Sequence, residues 1–442
     1  MSYRFLRIAL AAVLVALAAT LTVGAASAKS TNGAKPDVKP VFKELKGKPN
    51  KVAFPTFSFS YTDPTDSQNY DLTMVGNDPK TGHPSTMRTV IIPLKMTFVA
   101  GGQNTSELND LGYAGYTAPP LNHTFDGSRR VGDVLDSPIF KNFKQPADMG
   151  GDNASYGDAF MRAQFDRIHS GYHVKINNVG VEPTQTVTVP AASGLAYQRP
   201  VGAWRTAHGM PTDTIAGVAD FGWFADYIIG VMQQLNIGPD VVPIFLTDNV
   251  MLYDSGSYLS CCTIGFHGTP ASAATTATAK NSPAAQQTLI YAAWSTPGTY
   301  SGFLSDYTGA RTAPEPTRGI ADIQALSHEV AEHLDDPFVN NLVTPWLTPT
   351  APQYGCTPVL ETGDPVVGDW YPLDGNKTGK ADGYNYYGQY HPEEEVFAQW
   401  YAHGALEKLG YNSWDGRLTF MGPRTTSLGG PWADFANYSH GC

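Results

Sequence analysis

Charge is scarce in this chain. Charged residues make up 16% of its 442 residues, below the roughly one quarter usual in soluble domains, which excludes a highly charged disordered tail or a coiled coil. Basic residues are the scarcer sign, 29 Lys and Arg against 40 Asp and Glu, for a formal net charge of −11. With no dense basic stripe in the body of the chain, nothing is available to neutralise a phosphate backbone, and nucleic acid is excluded as a partner. Past residue 28 no apolar run reaches the ~20 residues that cross a bilayer, so no membrane span is expected. Signatures of nucleotide enzymes and serine hydrolases are missing too: there is no G-x-G-x-x-G, no Walker A loop and no G-x-S-x-G elbow.

What is present begins with an export pattern. Arg4 and Arg7 precede an apolar run from Ile8 to Ala19, and Ala26-Ser27-Ala28 is a small-residue cleavage site, so residues 1–28 read as a signal peptide and the mature chain as secreted, starting at Lys29. Thr20, Thr22 and Gly24 interrupt the run too early for a membrane anchor. Four cysteines, Cys261, Cys262, Cys356 and Cys442, are an even number in an exported chain and favour two disulfides over a thiolate metal site. A bridge between the neighbours Cys261 and Cys262 would strain the backbone, so each is expected to pair with Cys356 or Cys442, in either combination.

Composition then divides the chain. Residues 29–52, with seven lysines and three prolines between Lys29 and Lys51, read as a solvated linker. Residues 53–195 read as a β-rich N-terminal region: Met87 to Val99 and Thr184 to Val189 are rich in β-branched residues, with Pro93 expected at an edge or bulge. Within that region Tyr156 to His169 has helical composition, Phe160, Phe165 and Ile168 falling on one face. Residues 196–442 change character. Asp220 to Asn236 reads as a helix stopped by Gly238-Pro239, Val241 to Thr247 and Thr288 to Trp294 as strands, and Thr317 to Leu334 as a helix ended by Pro337. Thr269 to Ala279 is a flexible Ala/Thr/Ser tract. The fold class expected is α+β, a mainly β region followed by an α/β domain with an active-site helix.

The chemistry concentrates in Ser327-His328-Glu329-Val330-Ala331-Glu332-His333-Leu334-Asp335-Asp336-Pro337. At 100° per residue Ile320, Ile323, Val330 and Leu334 share one helix face, and His328 and Glu332, four apart, lie roughly opposite it. Two side chains so placed can grip one ion, which makes H-E-x-x-E a variant of the H-E-x-x-H zinc helix with a carboxylate in place of the second imidazole. Glu329 is then the general base. A second register pairs Glu329 with His333 around Glu332. The bland alternative is an exposed helix whose polar residues face solvent. A catalytic zinc takes three protein ligands and an activated water. Downstream, Leu360-Glu361-Thr362-Gly363-Asp364-Pro365 offers Glu361 as third ligand, with Asp364 as an outer residue that orients it. His267, in Gly265-Phe266-His267-Gly268, reads as structural beside the cysteine pair or as a neighbour of the metal.

The segments SHEVAEHLDDP, ETGDP and SCCTIGFHG, within roughly residues 240–370, resemble the secreted phosphate-induced (Exordium-like) proteins of plants and their bacterial relatives. More distantly, the order of elements is similar to that of zincin metallopeptidases. The resemblance implies an extracellular protein with a zincin-like helix carrying His328, Glu329 and Glu332, from which His333 and Asp335 are departures.

Two further segments carry weaker signals. Asp374 to Asn385 places oxygen residues and a Gly at calcium-loop positions but ends in Asn385 rather than Glu, and a plain polar turn is the simpler reading. Tyr384 to Tyr401 is dense in aromatics, more apt for core packing than for stacking on sugars. His391 and Glu393 to Glu395 lie in it with no ligand spacing. The function expected is a secreted zinc-dependent hydrolase acting on an extracellular protein or peptide. The alternative is a non-catalytic extracellular or cell-wall protein with a structural metal.

Overall fold

The computed structural model describes residues 53–100, 122–198, 215–254, 256–257, 261–269, 287–296, 322–347, 356–367, 369–373, 378–379, 386–387 and 390–422. The export segment, the linker, Cys442, almost all of the Ala/Thr/Ser tract and most of the Asp374 to Asn385 loop lie outside them. No helix among the described residues is long and apolar enough to cross a membrane.

The elements that build the scaffold are, in chain order, β1 (Thr56–Thr62), β2 (Asn69–Val75), β3 (Ser85–Phe98), β4 (His123–Asp126), α1 (Tyr156–Gln164), β5 (Val174–Val181), β6 (Gln185–Val189), β7 (Gly194–Gln198), β8 (Ile215–Asp220), α2 (Phe221–Gln234), β9 (Val242–Asp248), β10 (Val250–Tyr253), β11 (Cys261–Thr263), β12 (Gly265–Gly268), β13 (Leu289–Trp294), α3 (Gln324–Asp335), β14 (Leu342–Leu347) and β15 (Cys356–Val359). The fold is mixed, with more strand than helix. A seven-stranded sheet runs β12-β13-β9-β3-β4, with β5 and β6 also on β3. A second sheet runs β11-β10-β8-β7.

The central strands are parallel and buried on both faces, which explains their unbroken apolar sequence. Ile91, Ile244 and Ile290 stand abreast across β3, β9 and β13 and join the core that contains Val330 and Leu334 of α3. Their neighbours Ile92, Phe245 and Tyr291, one residue on and therefore on the opposite face, join the core built with Phe224, Ile228, Val231 and Met232 of α2. Asp220 begins α2 by accepting the Trp223 N–H at 2.9 Å, a side-chain cap for an otherwise orphan donor.

Residues on either side of position 195 share this sheet: β3 pairs in parallel with β9 through Thr89 to Pro93. A buried strand needs partners for its backbone N–H and C=O on both edges, and β9 finds β13 on one side and β3, from the earlier half of the chain, on the other. Pro93 is not at an edge. It lies mid-strand, where β3 changes partner from β5, paired up to Ile91, to β6, paired from Leu94. A residue without an N–H fits that hand-over point because no ladder hydrogen bond is asked of it.

The helices are shorter than their composition predicts. α1 stops at Gln164, and Asp166 and His169 take left-handed conformations (φ 50° and 62°) that end any continuation. α3 packs against β13, β12, α1 and β2. Behind it, the Asn341 side chain exchanges two 2.9 Å hydrogen bonds with the Thr73 backbone of β2, fixing the β1–β2 hairpin to the chain that leaves the helix. Cys262 and Cys356 are disulfide-bonded, and no described cysteine is free; the pairing of the four cysteines lies outside the described residues.

Candidate metal centre

Every residue of α3 from Gln324 to Asp335 is buried, so the exposed-helix alternative fails: the helix is enclosed by sheet, helix and hairpin on all sides. Its start is held by Asp322, which accepts the Ile323 N–H at 2.6 Å. Its end is held by Asp336, whose two carboxylate oxygens accept the Asn340 and Asn341 N–H groups at 3.0 and 2.9 Å. With both ends fixed, the polar line His328, Glu329 and Glu332 is presented to β12 on one side and to the loop after β15 on the other.

Two groups of donor atoms converge on that line. His328 Nε2 lies 3.1 Å from Glu332 Oε1 and 3.8 Å from Asp364 Oδ1. On the other side His267 Nδ1 lies 3.2 Å from Glu329 Oε2 and 3.5 Å from Glu332 Oε2. Within each group the three donor atoms lie within 4.8 Å of one another. Ligands at ~2.0–2.1 Å around a tetrahedral ion stand about 3.3 Å apart; the 3.1, 3.2 and 3.5 Å separations lie close to that edge and the 3.8 Å one is longer. Each group could hold a metal ion. The cluster is nearly sealed, with side-chain exposures of 10% for His328 and 4% for Glu332, and opens at Asp364, which is 32% exposed.

The loop that delivers Asp364 is tied down at several points. Leu360 N–H donates to the Asn341 carbonyl at 3.0 Å and Val396 N–H to the Thr362 carbonyl at 2.9 Å. Tyr401 hydroxyl donates to the Glu361 carbonyl. Gly363 N–H donates to Glu332 Oε1 at 3.1 Å, fixing the carboxylate that His328 faces. Two glycines are there because of close approach. A Cβ on Gly363 would sit 2.2 Å from His328 Nδ1, and one on Gly265 in β12 would sit 2.6 Å from Glu329.

The remaining sequence candidates fall elsewhere. Glu361 joins neither group: its carboxylate lies 4.0 Å from His267 Nε2, while Asp364, three residues on, reaches the His328 side. His333 joins neither group as well. Its Nε2 meets Thr288 Oγ1 at 2.9 Å and its ring stands edge-on to Phe54, so Glu329 and His333 are not brought together as ligands. Asp335, next to it, accepts from Gln164 Nε2 at 2.7 Å, a tie between α3 and α1.

Sequence reasoning assigned no role to Glu393, which is fully enclosed and places Oε1 3.6 Å from His328 Nδ1. Its backbone is held by Ser327 and Tyr156, the Glu393 N–H donating to Ser327 Oγ at 2.8 Å and the Tyr156 hydroxyl donating to the Glu393 carbonyl at 2.9 Å. The one trace in the sequence was the run Glu393-Glu394-Glu395, whose burial only the fold reveals. Glu394 accepts the Met421 N–H and Glu395 the Tyr156 hydroxyl at 2.9 Å. His391 pairs with Asp322 at 2.6 Å, beneath the start of α3. Of the aromatic stretch, Tyr390, Phe397, Trp400 and Tyr401 are buried, as core packing requires.

Electrostatics favour a cation. Among the described residues the only cationic partners of Glu329, Glu332 and Glu361 are the imidazoles of His267 and His328. Burial alone would raise Glu332, but the charges of His328 and His267 overcome it and hold that carboxyl well below its usual range. Burial, and then the charge of Glu332, push Glu361 well up; burial also raises Glu329. Burial alone would lower both imidazoles, yet the surrounding carboxylates carry His267 and His328 well above the ordinary histidine value. The cluster thus draws positive charge to itself, as protons when no ion is bound, and metal binding would displace those protons.

No protein-family model, no curated protein and no solved structure matches this chain.

Proposed function

We propose that this protein is a secreted, zincin-like metal-dependent hydrolase of peptide bonds, in which His328, Glu332 and Asp364 hold zinc. One observation carries the reading: donor atoms of His328, Glu332 and Asp364 converge within 4.8 Å of one another, close enough to share one ion, beside Glu329 on the same helix as the first two. Bound zinc acts as a Lewis acid and lowers the pKa of water. The chain supplies the rest. Glu393 faces His328 Nδ1 and leaves Nε2 as the ligand atom, the usual outer carboxylate of a metal-binding histidine. Glu329, raised by burial, is a stronger base than an ordinary carboxylate. Asp364 stands at the opening through which a substrate carbonyl would enter. Glu361, the third ligand expected from sequence, is replaced by Asp364. Residues 1–28 and the oxidised Cys262 and Cys356 support an extracellular setting.

The test is metal content and hydrolysis of a fluorogenic peptide library by purified full-length protein. His328→Ala should lose the zinc held by His328, Glu332 and Asp364. Glu329→Gln should fold normally and lose hydrolysis by about 100-fold or more. Undiminished hydrolysis in both variants would sink the proposal.

A second reading, a structural ion in a non-catalytic extracellular protein, draws on the burial of His328, Glu329 and Glu332, each less than 10% exposed. It requires the fold to collapse on chelation. A chelated protein that keeps its far-ultraviolet circular dichroism and loses only activity decides for catalysis.

A further inference from the structure

We propose that the centre holds two divalent ions, the first on His328, Glu332 and Asp364 and the second on His267, Glu329 and Glu332, with the two oxygens of Glu332 bridging them. The inference rests on the hydrolase reading for its first ion and adds a second.

The two imidazoles address different atoms of one carboxylate. His328 Nε2 faces Glu332 Oε1 at 3.1 Å and His267 Nδ1 faces Glu332 Oε2 at 3.5 Å. Each ring has its other nitrogen already engaged. Glu393 stands 3.6 Å from His328 Nδ1, and the Asp336 carbonyl stands 3.2 Å from His267 Nε2. A carbonyl can only accept, so His267 Nε2 carries a hydrogen and Nδ1 is the atom left facing Glu329 and Glu332, where an ion would take the place of the proton it shares with those carboxylates. His267 is therefore held as metal-binding histidines are, by a fixed acceptor on the far nitrogen, and at His328 a carboxylate faces the corresponding nitrogen at ion-pair distance. A single ion at either position leaves the other imidazole against a carboxylate with its ligand nitrogen unused. Carboxylate-bridged pairs about 3.5–4 Å apart are an established hydrolytic arrangement, each ion stabilising one of the oxygens that change charge. Glu329 would then be a ligand of the second ion through Oε2, the oxygen that faces His267, in place of the base role it has beside a single ion.

The experiment is equilibrium dialysis of chelator-stripped, full-length protein against Zn(II), with elemental analysis, and parallel loading with Co(II) read by electron paramagnetic resonance. Two zinc ions per chain are expected in the wild type, one in His267→Ala and one in His328→Ala. Glu329→Gln should fall from two to one. The Co(II) signal should grow with the first equivalent and be attenuated by spin coupling on addition of the second. Because the wild-type stoichiometry and the cobalt signal need no substitution, misfolded variants leave the test intact. One zinc per chain, lost in His328→Ala and kept in His267→Ala and Glu329→Gln, would overturn the second ion and leave the hydrolase reading standing. One zinc lost only in His267→Ala, or none in the wild type, would overturn both.

Discussion

Replacing Gly363 with alanine should disable the metal centre without removing a ligand. The new Cβ would lie 2.2 Å from His328 Nδ1, 2.5 Å from Cε1 and 2.8 Å from Cγ. Ordinary contact begins near 3.5 Å, so ring and loop must separate by more than about 1 Å. Neither has room. His328 sits on a buried helix turn, and the loop is pinned by the Gly363 N–H to Glu332 hydrogen bond at 3.1 Å and by backbone bonds on both sides. Coordination tolerates deviations of only about 0.2 Å, and disturbing the shell that orients ligands typically costs 10–100-fold in metal affinity. Overpacking should also destabilise the fold by about 1–3 kcal/mol. Competition with a zinc chelator measures the first effect and urea unfolding of the metal-free protein the second. A Gly363→Ala protein that binds zinc as tightly as wild type would refute the placement of this loop against His328, and with it the choice of Asp364 as ligand.

Two more predictions concern the ligand set and the scaffold. Asp364→Asn should weaken zinc binding about 10-fold or more while Glu361→Gln weakens it far less, by the same chelator competition; the reverse order would return Glu361 to the ligand set. Asp63, fully buried, pairs with His403 Nδ1 at 2.7 Å and accepts the Thr65 N–H at 2.7 Å. Burial alone would raise this carboxyl, but those hydrogen bonds outweigh it and hold it below its ordinary value. With the folded pKa depressed, the stabilisation is present above the unfolded value of about 3.9 and is lost as pH falls through the folded one. Unfolding of wild type and Asp63→Asn should therefore differ by about 1–3 kcal/mol near pH 6, with the gap closing below pH ~4. A gap that stays constant down to pH 3 would contradict the pairing.

The strands and main helices were legible because burial on two faces leaves a local trace. Ile91, Ile244 and Ile290 alternate with Ile92, Phe245 and Tyr291 in short apolar runs bounded by breakers, and such runs can be only core strands or buried helices. The i, i+4 pair of His328 and Glu332 was legible for the same reason, being a property of one helix. What failed depended on distant partners. Pro93 looked like an edge residue because no local feature shows that β5 and β6 meet beside it. Glu361 and Asp364 differ by three positions in one loop, and the turn Asp364–Val366 decides which of them faces His328. His267, open in sequence between a structural place and one beside the metal, reaches the centre because β12 pairs with β13 and passes beside α3, and Glu393 only because the chain returns under the helix from beyond residue 390.

The charge balance explains why such an arrangement points to an ion rather than to packing. Taking a carboxylate out of water costs several kcal/mol even after relaxation, and a partner repays it only with good geometry. Glu329, Glu332 and Glu361 share two imidazoles, one of which also faces Glu393. A helix lined with leucine at these positions would pack against the same sheet at lower cost. The protein instead places carboxylates from three separate stretches, α3, the loop after β15 and the chain beyond residue 390, around two oriented rings. Protons can balance that charge at low pH, but as pH rises they leave, and the carboxylates then repel one another in a medium that screens poorly. A divalent ion bound there would balance the same charge without those protons. It follows that the metal-free protein should lose stability on passing from pH 6 to pH 8 while the zinc-loaded protein does not, because the raised histidines contribute only while protonated.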